Sequence, residues 1–175
     1  MGKTGDWHNR DLAEHINSHE VGRDLYYLYA IYASSKSLMR QSDGGDFCPY
    51  WQMRDDYEEE EILRRIVSIA IHVRIIHERH VEHYVGKELK PSDPSVGTLI
   101  PNLKQKSTAE LSLRQACSKI VHAKLFSLEK VKKNRPDQSY LKPIITLHSS
   151  STKSEGWKAS VRVNDFIFAA YDFCR

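Results

Sequence analysis

Ile62, Ile66, Ile69, Val73 and Ile76 recur at steps of four, three, four and three, and Leu63, Val67 and Ala70 widen the same stripe. At about 3.6 residues per turn these positions share one face of an α-helix. On a strand, odd and even steps would scatter them over both faces. The spacing predicts a helix over 56–83. A helix this long with one apolar face must lie against other helices, so a bundle is the expected architecture. Just ahead of the stripe, "DDYEEEE" (55–61) puts six carboxylates in seven residues. They are read as the start of that helix, where the macrodipole favours negative charge.

The neighbouring segments extend this reading. The first 20 residues are polar and His-rich and fit a short helix or an N-terminal arm. Residues 21–41 read as a helix packed through Leu25, Leu28, Tyr29, Tyr32 and Leu38, ended by the glycines and proline of "SDGGDFCPYW". Residues 86–102 carry three prolines and two glycines and read as a long exposed connection. A third helix is expected over 108–132, with a break near Phe126. After "NRPDQ" the period changes to two: Trp157, Ala159, Val161 and Val163 alternate with Lys158, Ser160 and Arg162. That pattern predicts a β-hairpin over 140–163. A hairpin alone is marginal in water, so Trp157 and its neighbours should lie on the bundle. Asn164 is the expected N-cap of a last helix over 164–175. The fold class is mainly α: one domain, with a helical bundle over 21–135, the hairpin and a final short helix.

With 175 residues and 40% apolar content, the chain is long enough to bury one core. Its apolar runs fall far short of the roughly 20 residues that cross a bilayer, and "MGKTGDWHNRDLAEH" has no apolar leader core. Cys48, Cys117 and Cys174 are few, odd in number and far apart, which argues for a reducing, cytoplasmic setting. There is no phosphate-cradling glycine loop and no Gly-x-Ser-x-Gly elbow, so no cofactor is expected. His77, His80 and His83 lie three apart, and His15 and His19 four apart, without a third ligand in register. They are read as titratable surface histidines, and no metal is expected. Net charge is +3, yet between Lys104 and Arg135 nine Lys/Arg face two acids. Such a segment is either a solvated face or a surface that attracts a polyanion.

Inside that basic segment lies "LRQACSKIVHA" (113–123). With Leu113 at zero on a helical wheel, Cys117, Ile120, Val121, Ala116 and Ala123 make the core stripe. Arg114, Ser118 and His122 fall at about 100°, 140° and 180°, on a polar strip beside it. "ACSKIVHA" resembles the late-helix motif of HEPN-type domains, small helical bundles common among bacterial ribonuclease toxins and defence proteins. His122 matches the family histidine and Ser118 the polar position four before it. Cys117 stands where the family has arginine. Arg114 is the nearest arginine, and seven residues separate it from His122, about 12 Å of rise. The family spacing itself recurs at Arg10–His15, Arg65–His72 and Arg74–His80, as often as 12 arginines and nine histidines produce it by chance.

What the resemblance implies is a homodimer that binds RNA and cleaves it without metal, in a defence or toxin–antitoxin type of system. A 2′-hydroxyl would attack the adjacent phosphate, with His122 handling a proton, and Arg114 and Ser118 completing the catalytic set. Lys119, Lys124, Lys132 and Lys133 are the expected nucleic-acid contacts. The alternative is a non-catalytic module for dimerisation or partner binding, which the absent family arginine favours.

Overall fold

The computed structural model describes residues 6–41, 49–83, 93–105, 107–131, 139–150 and 156–175, with the side chains of 6–17, 50, 51, 55 and 79–83 outside the description. Within these residues the chain runs α1 (Asp6–Gln41), α2 (Pro49–His83), β1 (Ser95–Ile100), β2 (Ala109–Ser112), α3 (Leu113–His122), β3 (Leu125–Val131), β4 (Tyr140–His148), β5 (Lys158–Arg162) and α4 (Val163–Phe173). The five strands form one antiparallel sheet in the order β2-β1-β5-β4-β3. The fold is therefore mixed α/β, which corrects the expected mainly helical bundle.

The long helices form as their stripes require. Ile62, Ile66, Ile69 and Val73 of α2 are buried against Val21, Leu25, Leu28 and Tyr32 of α1. Two helix starts and one packing position differ from expectation. α1 is continuous through the first 20 residues from Asp6. Tyr29 faces outward at 50% exposure, and Met39 is buried in the last turn instead. α2 starts at Pro49, so the acidic run lies inside the helix and not at its positive end.

The largest correction concerns 95–131. The proline-rich connection contains β1, second in the sheet, and the expected third helix is three elements, β2, α3 and β3. α3 starts where Ser112 caps it: the Ser112 hydroxyl accepts from the Gln115 amide while the Gln115 side chain accepts from the Ser112 amide. Asp93 adds a second acceptor, 2.9 Å from the Arg114 amide nitrogen. These contacts satisfy amides that a helix start leaves without partners.

The β4–β5 pairing agrees with the expected hairpin, with Ile145 opposite Val161 and Leu147 opposite Ala159. It is not a free-standing hairpin: β5 pairs on its other side with β1. Gly156, at φ +80°, turns the chain into β5. The neighbouring Ser149 hydroxyl accepts from the Trp157 amide at 2.8 Å. α4 begins one residue before Asn164, with Arg162 at the cap position, so Asn164 is not the N-cap.

Residues opposite one another in antiparallel strands share a face. One face carries Leu99, Ala159, Val161, Ile145, Leu147 and Leu111, all buried in a single core with the four helices. The other face carries Thr98, Ser160, Thr146 and Ser127 in one row across β1, β5, β4 and β3. None of these four belongs to the core.

Candidate functional site

α3 carries the residues that the HEPN resemblance selects, and the wheel places them correctly. Leu113, Ala116, Cys117 and Ile120 are buried, while Arg114 and His122 are exposed and Ser118 is half-buried. Burial pushes the Cys117 thiol up to about 12, with Cys174 adding to the effect. Cys117 is thus an inert part of the core in the place where the family has arginine.

The polar strip does not converge on a shared point. Arg114 sits in the first turn, with its guanidinium Nε 3.7 Å from Asp93 Oδ2. His122 ends the helix two turns later, next to the link into β3. Lys119 turns to the sheet, its ammonium nitrogen 4.4 Å from the centroid of the Trp157 ring. Lys124 is exposed in the link between α3 and β3, and its amide donates to the His148 carbonyl at 2.9 Å. Lys132 and Lys133 lie outside the described residues. Of the expected set, the structure groups Lys119 with Trp157 and leaves Arg114, Ser118 and His122 along one helix side.

In two of the other arginine–histidine spacings the arginine is in an ordinary ion pair. Arg65 is 2.8 Å from Asp24 and 2.9 Å from Glu61. His72 Nδ1 lies 2.9 Å from the Ser68 carbonyl, and Arg74 is 3.7 Å from Glu78. His77 stacks on Phe173 with ring centroids 5.9 Å apart. The side chains of Arg10, His15, His80 and His83 lie outside the description. Among the described residues no group of three His, Cys, Asp or Glu could hold a metal ion.

Two further features lie away from α3. The first is a second stripe on α1. Gly22, Tyr26, Tyr29 and Ala33 step by four, three and four, the same rhythm as the buried stripe but on the outer side. Tyr26 is 67% and Tyr29 50% exposed. A Cβ added at Gly22 would meet nothing within 4 Å. All eight exposed large apolar side chains of the described residues, including Met53, Tyr57, Phe168 and Tyr171, are on helices. The crowding of Tyr26, Tyr27, Tyr29 and Tyr32 in the sequence fits core packing or a dimer seam; of the four only Tyr32 is in the core, and Tyr29, expected there, is exposed.

The second is a buried polar cluster where α1, α2 and the β3–β4 edge meet. Tyr32 and Ser35 lie one turn apart on α1, and Arg54 and Glu58 lie one turn apart on α2. The Arg54 and Glu58 side chains are only 8% and 7% exposed, with Nε and Oε2 3.7 Å apart. Ser35 is hydrogen-bonded to the Glu58 carboxyl and accepts from the Leu141 amide at 3.1 Å. Burial raises the Glu58 carboxyl above the ordinary glutamate value, against the lowering influence of Ser35, Arg54 and Lys130. Burial and the nearby Glu58 charge also raise the Tyr32 phenol. The Tyr32 hydroxyl, Arg54 Nη1 and Glu58 Oε1 are all buried without a hydrogen-bond partner. Five other acids in the same run hid the one that turns inward.

Comparison with protein-family models, with curated proteins and with solved structures finds no match to this chain. No described helix is long and apolar enough to cross a membrane.

Proposed function

We propose that this protein is a non-catalytic interaction module that pairs with a second copy of itself along the outer seam of α1. The carrying observation is the palindrome Gly22–Tyr26–Tyr29–Ala33. In an antiparallel two-fold pairing centred between Tyr26 and Tyr29, Gly22 faces Ala33 of the second copy and Tyr26 faces its Tyr29. Small residues meet small ones at the ends, so the backbones approach, and aromatic rings meet at the centre. Such a surface is self-complementary, as an isologous interface requires. The four-three-four rhythm is that of helices packed knobs-into-holes, and exposed tyrosines are typical of interface cores. Measuring the molar mass of the wild type and of a Tyr26→Ser, Tyr29→Ser double variant tests this reading.

The α3 geometry supports a binding role over RNA cleavage. Arg114 is two turns from His122 and beside Asp93, and Lys119 lies over Trp157. Incubating a mixed RNA pool with wild type and His122→Ala is the matching assay. RNA loss that depends on His122 would restore the ribonuclease reading.

A second reading, nucleic-acid binding without cleavage, is favoured by the polar sheet face, where Thr98 and Arg162 are exposed and Ser127, Lys158 and Ser160 half-buried, while Thr146 and His148 between them are buried. There the Thr98–Ser160–Thr146–Ser127 row is flanked by Lys158 and Arg162 of β5. Hydroxyls and cations are the groups that contact phosphate backbones. Single-stranded RNA titrated at rising salt tests it: affinity that falls steeply with salt and drops in Lys158→Gln supports this surface, and salt-independent or absent binding removes it.

A further inference from the structure

We infer that the pairing of α1 with a second copy is pH-sensitive and opens in mild acid through His19 and His15; this rests on the self-pairing of α1. The seam rhythm does not stop at Gly22 and Ala33. Continued by steps of three and four, it takes in His19 and His15 at one end and Lys36 and Arg40 at the other, all within α1. Around the same centre, between Tyr26 and Tyr29, His19 comes opposite Lys36 of the second copy and His15 opposite its Arg40. Each histidine is as far from the centre as the cation it meets, so a two-fold pairing repeats these contacts at both ends of the seam. His19, Lys36 and Arg40 are exposed, as a seam requires.

A neutral imidazole has a ring nitrogen that accepts from an ammonium or guanidinium group. Once protonated, the same ring is a cation and both nitrogens donate. Histidine makes this change between about pH 8 and 5, where lysine and arginine keep their charge. Contacts that hold the ends of the seam in neutral solution therefore become like-charge contacts in acid. The charged neighbours on α1 and from the elements beside it are these. Arg23 lies one turn from His19 and adds positive charge. Glu20 is 4.0 Å from His72, the titratable group that α2 brings to this end. Asp24 is held by Arg65 and Ser68 of α2. The Lys36 ammonium is 5.6 Å from the centroid of the Tyr140 ring at the start of β4. The α2 acids Glu58 and Glu59 are paired with Arg54 and Lys130. The single chain thus takes up the histidine protons more readily than the dimer does, and falling pH favours single chains.

The test is sedimentation equilibrium of the full chain near pH 8 and near pH 5.5 at one ionic strength, with circular dichroism at both. The dimer dissociation constant should rise at least about tenfold in acid, as like charges brought together across an interface require. The His15→Gln, His19→Gln variant should stay dimeric in acid, and His72→Gln should respond as wild type does. His19→Lys, charged at both pH values, should weaken the dimer already near pH 8. Equal dimerisation of wild type at both pH values, or a full acid response in the double variant, would overturn the inference and leave the seam standing. A wild type that is a single chain near pH 8 would overturn both. If the chain unfolds near pH 5.5, His19→Lys near pH 8 decides: an unweakened dimer overturns the inference.

Discussion

The Lys119 ammonium group lies over the face of Trp157, 4.4 Å from the ring centroid, and so ties α3 to the first residue after the β4–β5 turn. Ser149 holds the other side of Trp157 through its backbone. Lys119 thus has a structural task in the place where the sequence suggests a phosphate contact. A cation over an indole is worth about 0.5–1 kcal/mol at a partly exposed site. Lys119→Gln should lower unfolding free energy by about that amount, and Lys119→Arg should restore it, as read by urea denaturation. Equal stability of wild type and Lys119→Gln would show that the contact contributes nothing.

Gly97 marks the tightest approach in the sheet. A Cβ built there would stand 2.0 Å from the Ser160 carbonyl oxygen on the paired strand. The register between β1 and β2 also shifts beside it, between Ser95 and Gly97. Gly97→Ala must push β1 from β5 in the middle of the sheet. A loss of roughly 1–3 kcal/mol is expected, the range for overpacking a well-filled interior. A thermal midpoint unchanged from wild type would contradict the pairing of β1 with β5.

Glu58 gives stability a pH signature. Its carboxyl is raised in the folded chain above the ordinary value of 4.5, so the folded state holds the proton more tightly than the unfolded one. That contribution is fully present below the unfolded value and is lost as pH rises through the folded value. Wild type should therefore lose a component of stability in a window that opens near pH 4.5, and Glu58→Gln should lack that component. Chemical denaturation at stepwise pH measures the difference. Parallel curves for the two proteins would mean that Glu58 titrates alike in the folded and unfolded chain.

The sequence announced some of this architecture and concealed the rest for definable reasons. The α2 stripe was legible because five β-branched residues hold one face. The α3 wheel was legible because Cys117 and Ile120 fall beside Leu113. The β4–β5 pair was legible because alternation over Trp157–Val163 has no helical counterpart. β3 was concealed because Val121, Leu125 and Leu128 step by four and three, so the helical rhythm of α3 runs on into the strand. The pairing of Phe126 and Leu128 with Leu147 and Ile145 is long-range and leaves no local trace. β1 was concealed by Pro94 and Pro101 on either side of it and by Gly97, which usually marks a loop. Of the site residues, the off-core placement of His122 and the burial of Cys117 were legible. The inward turn of Arg54 and Glu58 was not, because it depends on where α1 lies.

The central claim is that α1 pairs with a second copy through Gly22, Tyr26, Tyr29 and Ala33. The most direct measurement is light scattering coupled to size exclusion over a range of protein concentrations. The account predicts a molar mass of twice the 20.3 kDa chain for wild type. It predicts a single-chain mass, with an unchanged circular dichroism spectrum, for the Tyr26→Ser, Tyr29→Ser variant. A wild type that stays at the mass of one chain at every concentration, or a folded variant that remains a dimer, would contradict it.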